Sequence, residues 1–168
     1  MEIEKIIIGE NTKYPLNGLL TLPENITEPV PAVVFVHGSG SSNMDEKVGQ
    51  LTPFKDLAEG LANKGIASIR YDKRSFAHGL KMVRDKSAII TVKEETIDDA
   101  ILATELLKKD SRIDSHNIFI IGHSMGGVIA AYLATKYRQI KKEFGASASV
   151  TNRKRLGAKG TPNSIFMI

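Results

Sequence analysis

Cysteine is absent from the 168-residue chain. That excludes a disulfide framework, a thiolate nucleophile and every cysteine-ligated zinc or iron–sulfur site. Histidine is scarce: His37, His78, His116 and His123 are the full set, and none falls in a His-Glu-x-x-His spacing, so no metal site is expected. No apolar stretch reaches the roughly 18 residues a membrane helix needs. Glu2 and Glu4 stand where a secretory signal would carry positive charge. These absences lead us to expect a cytoplasmic protein without a membrane partner. Hydrophobic residues at 42% and charged residues at 25% are ordinary globular usage, against disorder or coiled coil, and the length suits one domain.

The net charge of +4 is unevenly spread. Residues 136–168 hold eight Lys/Arg and one acid, Glu143. A nucleic-acid arm is one reading of such a tail. No aromatic residue interleaves with Arg153, Lys154 and Arg155, so a solvated end is preferred and no nucleic acid is expected.

Over the first 135 residues, strand-like and helix-like periods alternate as in βαβ units. Ile3 to Ile8 and Leu16 to Leu22 read as an antiparallel pair, because Asn17-Gly18 and Pro23 leave only short connections. Ala32 to Val36 is a continuous apolar run, fit for a strand covered on both faces, and a polar loop from His37 to Gln50 follows. Thr52 as N-cap, Pro53, the stripe Phe54, Leu57, Ala58, Leu61 and the stop at Gly65 predict a helix. Ile66 to Tyr71 is a strand, after which Asp72 to His78 is read as a loop. Thr91-x-x-Glu94 is a capping-box pattern opening a helix that buries Ile97, Ala100, Ile101, Thr104 and Leu107. Asn117 to Ile121 is a further buried strand, and Val128 to about Tyr137 a further helix. Beyond Lys141 the periods fade: Phe144 to Val150 makes at most a weak strand, and Thr151 to Ile168 reads as irregular.

Between the last clear strand and helix lies Gly122-His123-Ser124-Met125-Gly126-Gly127. Gly122-x-Ser124-x-Gly126 in that setting is the pattern of a nucleophile elbow, where a tight turn leaves no space for Cβ atoms and lifts the Ser124 hydroxyl out of the sheet. Acyl transfer also needs N–H donors for the developing oxyanion. Met125 at the helix start is one candidate, and Ser39 in His37-Gly38-Ser39-Gly40 the other. Against a phosphate-binding glycine loop, Asn43 stands where the third glycine would be, and no Gly-Lys-Ser/Thr occurs. These loops leave the carboxyl ends of different strands and so converge on one edge of a parallel sheet.

The chain resembles the N-terminal part of an α/β-hydrolase, and within that superfamily the bacterial acyl esterases. The resemblance rests on His37-Gly38-Ser39-Gly40, Asp45-Glu46, Pro53-Phe54-x-Asp56-Leu57-Ala58-x-Gly60-Leu61-Ala62, Gly65-Ile66-Ala67, Arg70-Tyr71-Asp72-Lys73-Arg74, Glu95-x-x-Asp98-Asp99 and Gly122 to Gly127, and spans about residues 14–140. It implies an α/β fold with a mostly parallel sheet and flanking helices. The implied chemistry is cofactor-free hydrolysis of small-molecule acyl esters through an acyl-Ser124 intermediate.

The superfamily order is Ser, then Asp or Glu, then His. Residues 125–168 contain no His and no Asp. His78 is the candidate base on the right edge; His37 is expected to brace its own loop, His123 to point away from Ser124, and His116 to fall on the opposite edge. We therefore expect an incomplete hydrolase core over residues 1–142, truncated or frame-shifted near Lys141 or Lys142, with 143–168 as a basic, irregular tail. The strand before the elbow would then be an exposed edge open to self-association. A non-catalytic binding module that keeps the pocket is the alternative.

Overall fold

The computed structural model describes residues 1–87, 89–141, 149–150 and 164–167, with side chains described up to Thr135. The elements are β1 (Glu2–Ile8), β2 (Leu16–Leu22), β3 (Val30–Val36), α1 (Pro53–Ala62), β4 (Ala67–Tyr71), α2 (Arg74–Arg84), α3 (Asp98–Lys109), β5 (Ile113–Gly122), α4 (Met125–Lys141), β6 (Ser149–Val150) and β7 (Ser164–Met167). One seven-stranded sheet runs in the order β1-β2-β4-β3-β5-β7-β6. β1 pairs antiparallel with β2 from Glu2 opposite Leu22 to Ile8 opposite Leu16, and β2 antiparallel with β4. From β4 across β3, β5 and β7 to β6 every pairing is parallel. The sheet is mixed and mostly parallel, as expected.

Alternation along β3 divides the core. Val33 and Phe35 face α1 and pack with Phe54, Ala58 and Ile121, and the Phe35 and Phe54 rings stack at 4.8 Å. Ala32, Val34 and Val36 face the other side, where α3 and α4 supply Ala100, Ala103, Leu107, Ile129, Ala130 and Leu133. Helices on both faces explain why β3 carries a continuous apolar run, whereas β4, buried along its whole length, includes Ser68 and Arg70, the latter bonded to Asp45 and Thr21. Burial of Phe54 alone contributes about 1.5–3 kcal/mol.

Three expectations need correction. The segment after β4 is not a loop throughout, because α2 begins at Arg74 and carries His78. It lacks a side-chain N-cap bond, and only Met82 is buried on it, while Phe76, Leu80 and Val83 are exposed. Polar ties hold it instead: the Arg74 guanidinium pairs with Asp99, and Tyr14 donates to Asp85 at 2.8 Å. Second, Ser164–Met167 in the stretch read as irregular forms β7, which pairs with β5 through Ile120 opposite Ile165 and Gly122 opposite Met167. The four-residue run is too short for a periodic signal, and it covers the edge of β5 that was expected to lie open. The basic run at Arg153 to Arg155 lies outside the described residues.

Third, the helix after Thr91 opens with a single π turn over Lys93–Ile97 before α3 starts. The capping box itself is present, with Thr91 N–H donating to Glu94 (3.1 Å) and Lys93 N–H to Thr91 Oγ1 (3.2 Å). Downstream of the π turn, Asp99, Ala100, Ala103, Thr104 and Leu107 are buried. Burial pushes the Asp99 carboxyl up to about 6 against the lowering influence of Arg74. A carboxyl raised on folding binds its proton more tightly in the native state, so this site adds stability as the pH falls from about 6 towards 3.8. Carbon-detected NMR titration of the Asp99 carboxyl should give a midpoint near 6, and one near 3.8 would contradict its burial.

Candidate active site

β5 runs straight into α4 through one tight turn. Ser124 at its apex takes φ +52°. A side chain in that left-handed region costs on the order of 1–3 kcal/mol and persists only where the surroundings enforce it. They do so through close packing of backbone. A Cβ on Gly122 would lie 2.1 Å from the Gly126 carbonyl oxygen, and one on Gly126 would lie 2.2 Å from the Val36 carbonyl oxygen. The turn is pinned by His123 N–H to Val36 O (3.0 Å), Gly126 N–H to His123 O (2.8 Å) and Gly127 N–H to Ser124 O (3.0 Å). Ser124 is exposed as a result, and no described side chain hydrogen-bonds its hydroxyl.

The loop leaving β3 lies against this turn. A Cβ built on Gly38 would be 3.3 Å from Ser124 Cβ and 3.0 Å from His123 Nδ1, so glycine lets the 38–39 peptide border the serine. Ser39 Oγ and Met125 Sδ are 3.5 Å apart. The two residues expected to flank Ser124 are thus brought together. Among the described residues, neither the Ser39 N–H nor the Met125 N–H donates to an acceptor. Met125 also opens a 17-residue helix, whose N-terminal dipole favours negative charge.

His37 braces its own loop. It is buried, its Nε2 donates to the Tyr71 carbonyl oxygen (2.6 Å), and its Nδ1 is bonded to the Glu46 carboxylate. Glu46 also accepts from His123 Nδ1 (2.9 Å) and from Gly38 N–H (3.3 Å). One carboxylate therefore joins the β3 loop to the turn bearing Ser124, and His123 is turned towards it. Burial by itself would raise the Glu46 carboxyl, but the bonds from His37, His123 and Gly38 outweigh it and hold it below the usual range.

His78 is not brought to Ser124. Its Nε2 donates to the Pro15 carbonyl oxygen (2.6 Å), and its ring tilts against Tyr14 at 5.6 Å. Asp72 accepts from Met44 N–H (2.9 Å), the loop-capping role, and burial raises its carboxyl. His116 lies exposed in β5 before the buried end of that strand.

Two residues at the site had no assigned part. Glu46 sits in the middle of a polar loop, and its partners lie 9 and 77 positions away. Lys73, nearly fully buried, sends its ammonium to the Gly38 and Gly40 carbonyls. The available signal was chemical: an acidic pair after a glycine loop, and a lysine at the end of a buried strand.

Residues 27–162 match the family described as serine aminopeptidase, S33. The chain belongs to that family of α/β-hydrolases. The match continues past Lys142, where the local periodicity fades. Esterase EstD of Thermotoga maritima is 40% identical over 121 residues, which cover 72% of this chain and 27% of that protein. Est1E from Butyrivibrio proteoclasticus superposes with a TM-score of 0.58 at 21% identity, over 81% of this chain and 47% of the other. Dienelactone hydrolase from Anabaena variabilis gives 0.60 at 21% identity, over 82% and 59%. The α/β-hydrolase thus spans about a quarter of the length of its curated relative and about half that of these solved structures. Among the described residues no helix is long and apolar enough to cross a membrane.

Proposed function

We propose that this α/β-hydrolase is the nucleophile-bearing part of a cytoplasmic serine hydrolase acting on small acyl esters. The observation that carries the reading is the exposed Ser124 hydroxyl, on a left-handed turn, flanked by the unengaged N–H groups of Ser39 and Met125. In this reading Gly122-His123-Ser124-Met125-Gly126 is a nucleophile elbow. Ser124 Oγ attacks the acyl carbon as its proton passes to a solvent water; the tetrahedral oxyanion accepts from the Ser39 and Met125 amides. Collapse breaks the bond to the leaving oxygen, which takes a proton from solvent and departs as the alcohol, and leaves acyl-Ser124, which water then cleaves to the carboxylic acid and the free Ser124 hydroxyl.

Turnover by this chain alone should be slow. His37 and His123 are engaged by Glu46 and His78 by Pro15, and residues 125–168 supply no histidine. Loss of a triad histidine costs on the order of 10⁶ in turnover, with roughly 10³ over water left from oxyanion donors and binding. A base from another polypeptide would restore the rate.

The test is a fluorophosphonate probe followed by peptide mass spectrometry, in which Ser124 Oγ displaces fluoride. The wild-type chain should gain the phosphonyl mass on the peptide containing Ser124, slowly, and Ser124→Ala should gain none. Labelling spread over surface serines, or a folded chain that stays unlabelled, would overturn the reading and leave a binding module that keeps the pocket.

A further inference from the structure

Lys73 sits at the carboxyl end of β4 and is 98% removed from solvent, far more than is usual for a lysine. Its Nζ donates to the Gly38 carbonyl (2.9 Å) and the Gly40 carbonyl (2.8 Å), and lies 3.7 Å from Glu95 Oε1. Its own N–H donates to the Ser42 carbonyl at 3.0 Å. Burying a charge is costly unless it is bonded, so these contacts fix where the ammonium rests. Glu95 comes from the π turn, a feature that often marks functional positions.

The peptide unit links these contacts to chemistry. A trans peptide is planar, and its C=O and N–H point in opposite directions. The Gly38 carbonyl and the Ser39 N–H belong to one such unit. When Lys73 holds that carbonyl on its own side, the Ser39 N–H is turned to the other. The neighbouring unit is fixed as well, because Gly38 N–H is held by Glu46. The loop is therefore restrained on both sides of Gly38, and among the described residues the Ser39 amide has no acceptor.

We propose that Lys73, backed by Glu95, is a positioning residue that sets the Ser39 amide towards the oxyanion formed at Ser124. This rests on the reading of Ser124 as the nucleophile. Lys73 touches neither Ser124 nor a substrate in this assignment; it acts through the 38–39 peptide.

The experiment combines fluorophosphonate labelling with ¹⁵N–¹H spectra of the whole chain. Lys73→Met should lower the rate of Ser124 phosphonylation by about 10²-fold, the scale of losing one oxyanion donor. Lys73→Arg, which keeps donors for both carbonyls, should recover most of the rate. In the wild type the phosphonyl adduct should move the Ser39 and Met125 amide resonances downfield; in Lys73→Met the Ser39 response should disappear while that of Met125 remains. A wild-type labelling rate and an unchanged Ser39 response in folded Lys73→Met would overturn the proposal. In the unsubstituted chain, couplings across hydrogen bonds from the Lys73 ammonium nitrogen to the Gly38 and Gly40 carbonyl carbons read the clamp directly. Their absence overturns it even if Lys73→Met does not fold. An unlabelled wild type with those couplings intact would overturn the nucleophile reading alone.

Discussion

Gly126→Ala is expected to lower stability by about 3 kcal/mol or more and to abolish phosphonylation of Ser124. The added methyl would stand 2.2 Å from the Val36 carbonyl oxygen and 2.7 Å from that of His37. Both atoms are backbone, at the end of β3 and the start of its loop, so no side-chain rotation relieves the clash. The substitution must push α4 off the sheet or undo the turn. Set against the 5–15 kcal/mol by which domains are usually stable, that is a large fraction. Gly60→Ala is the control: nothing lies within 4 Å of its Cβ position, and α1 should gain about 0.5–1 kcal/mol there. Urea midpoints read both. If the midpoint of Gly126→Ala matched that of Gly60→Ala, the close approach of the turn to β3 would be refuted.

The contrast between those two glycines shows what could be read before any coordinates. The Gly122 to Gly126 pattern is local: strand, turn and helix are adjacent in sequence, and the need for glycine follows from the sharpness of one bend. β3 was legible for a related reason, because burial on both faces leaves a continuous apolar run from Ala32 to Val36. The capping box at Thr91 likewise spans four residues and announces itself. α2 did not, since its apolar stripe of Phe76, Leu80 and Val83 faces outward and its anchors reach from Arg74 to Asp99 and from Tyr14 to Asp85. The π turn was equally hidden, and the buried set downstream of it includes Asp99, which the expected stripe did not. Ser39 and Met125 could be named from the motif, but the groups that hold them could not. Lys73 reaches back 35 positions to Gly38, and Glu46 forward 77 positions to His123. Hydrogen-bonded clamps of that range leave no periodicity in the chain.

Glu46→Ala carries the second large effect, a loss of about 3 kcal/mol. The carboxylate serves three donors, His37 Nδ1, His123 Nδ1 and Gly38 N–H, and both the carboxylate and His37 are buried. Removing it strands buried donors, which is costlier than losing the same bonds at a surface. Glu46→Gln should fall between, because an amide presents one acceptor atom where the carboxylate presents two. The pH dependence separates this account from simple loss of packing. A carboxyl lowered on folding contributes stability above its unfolded pKa, about 4.3, and loses that contribution as the pH falls through its lower folded value. The melting temperature of the wild type should therefore drop below about pH 4.3 more steeply than that of Glu46→Gln, which has no charge to neutralise there. Parallel profiles for the two proteins would mean that Glu46 holds the loop and the turn together by shape alone.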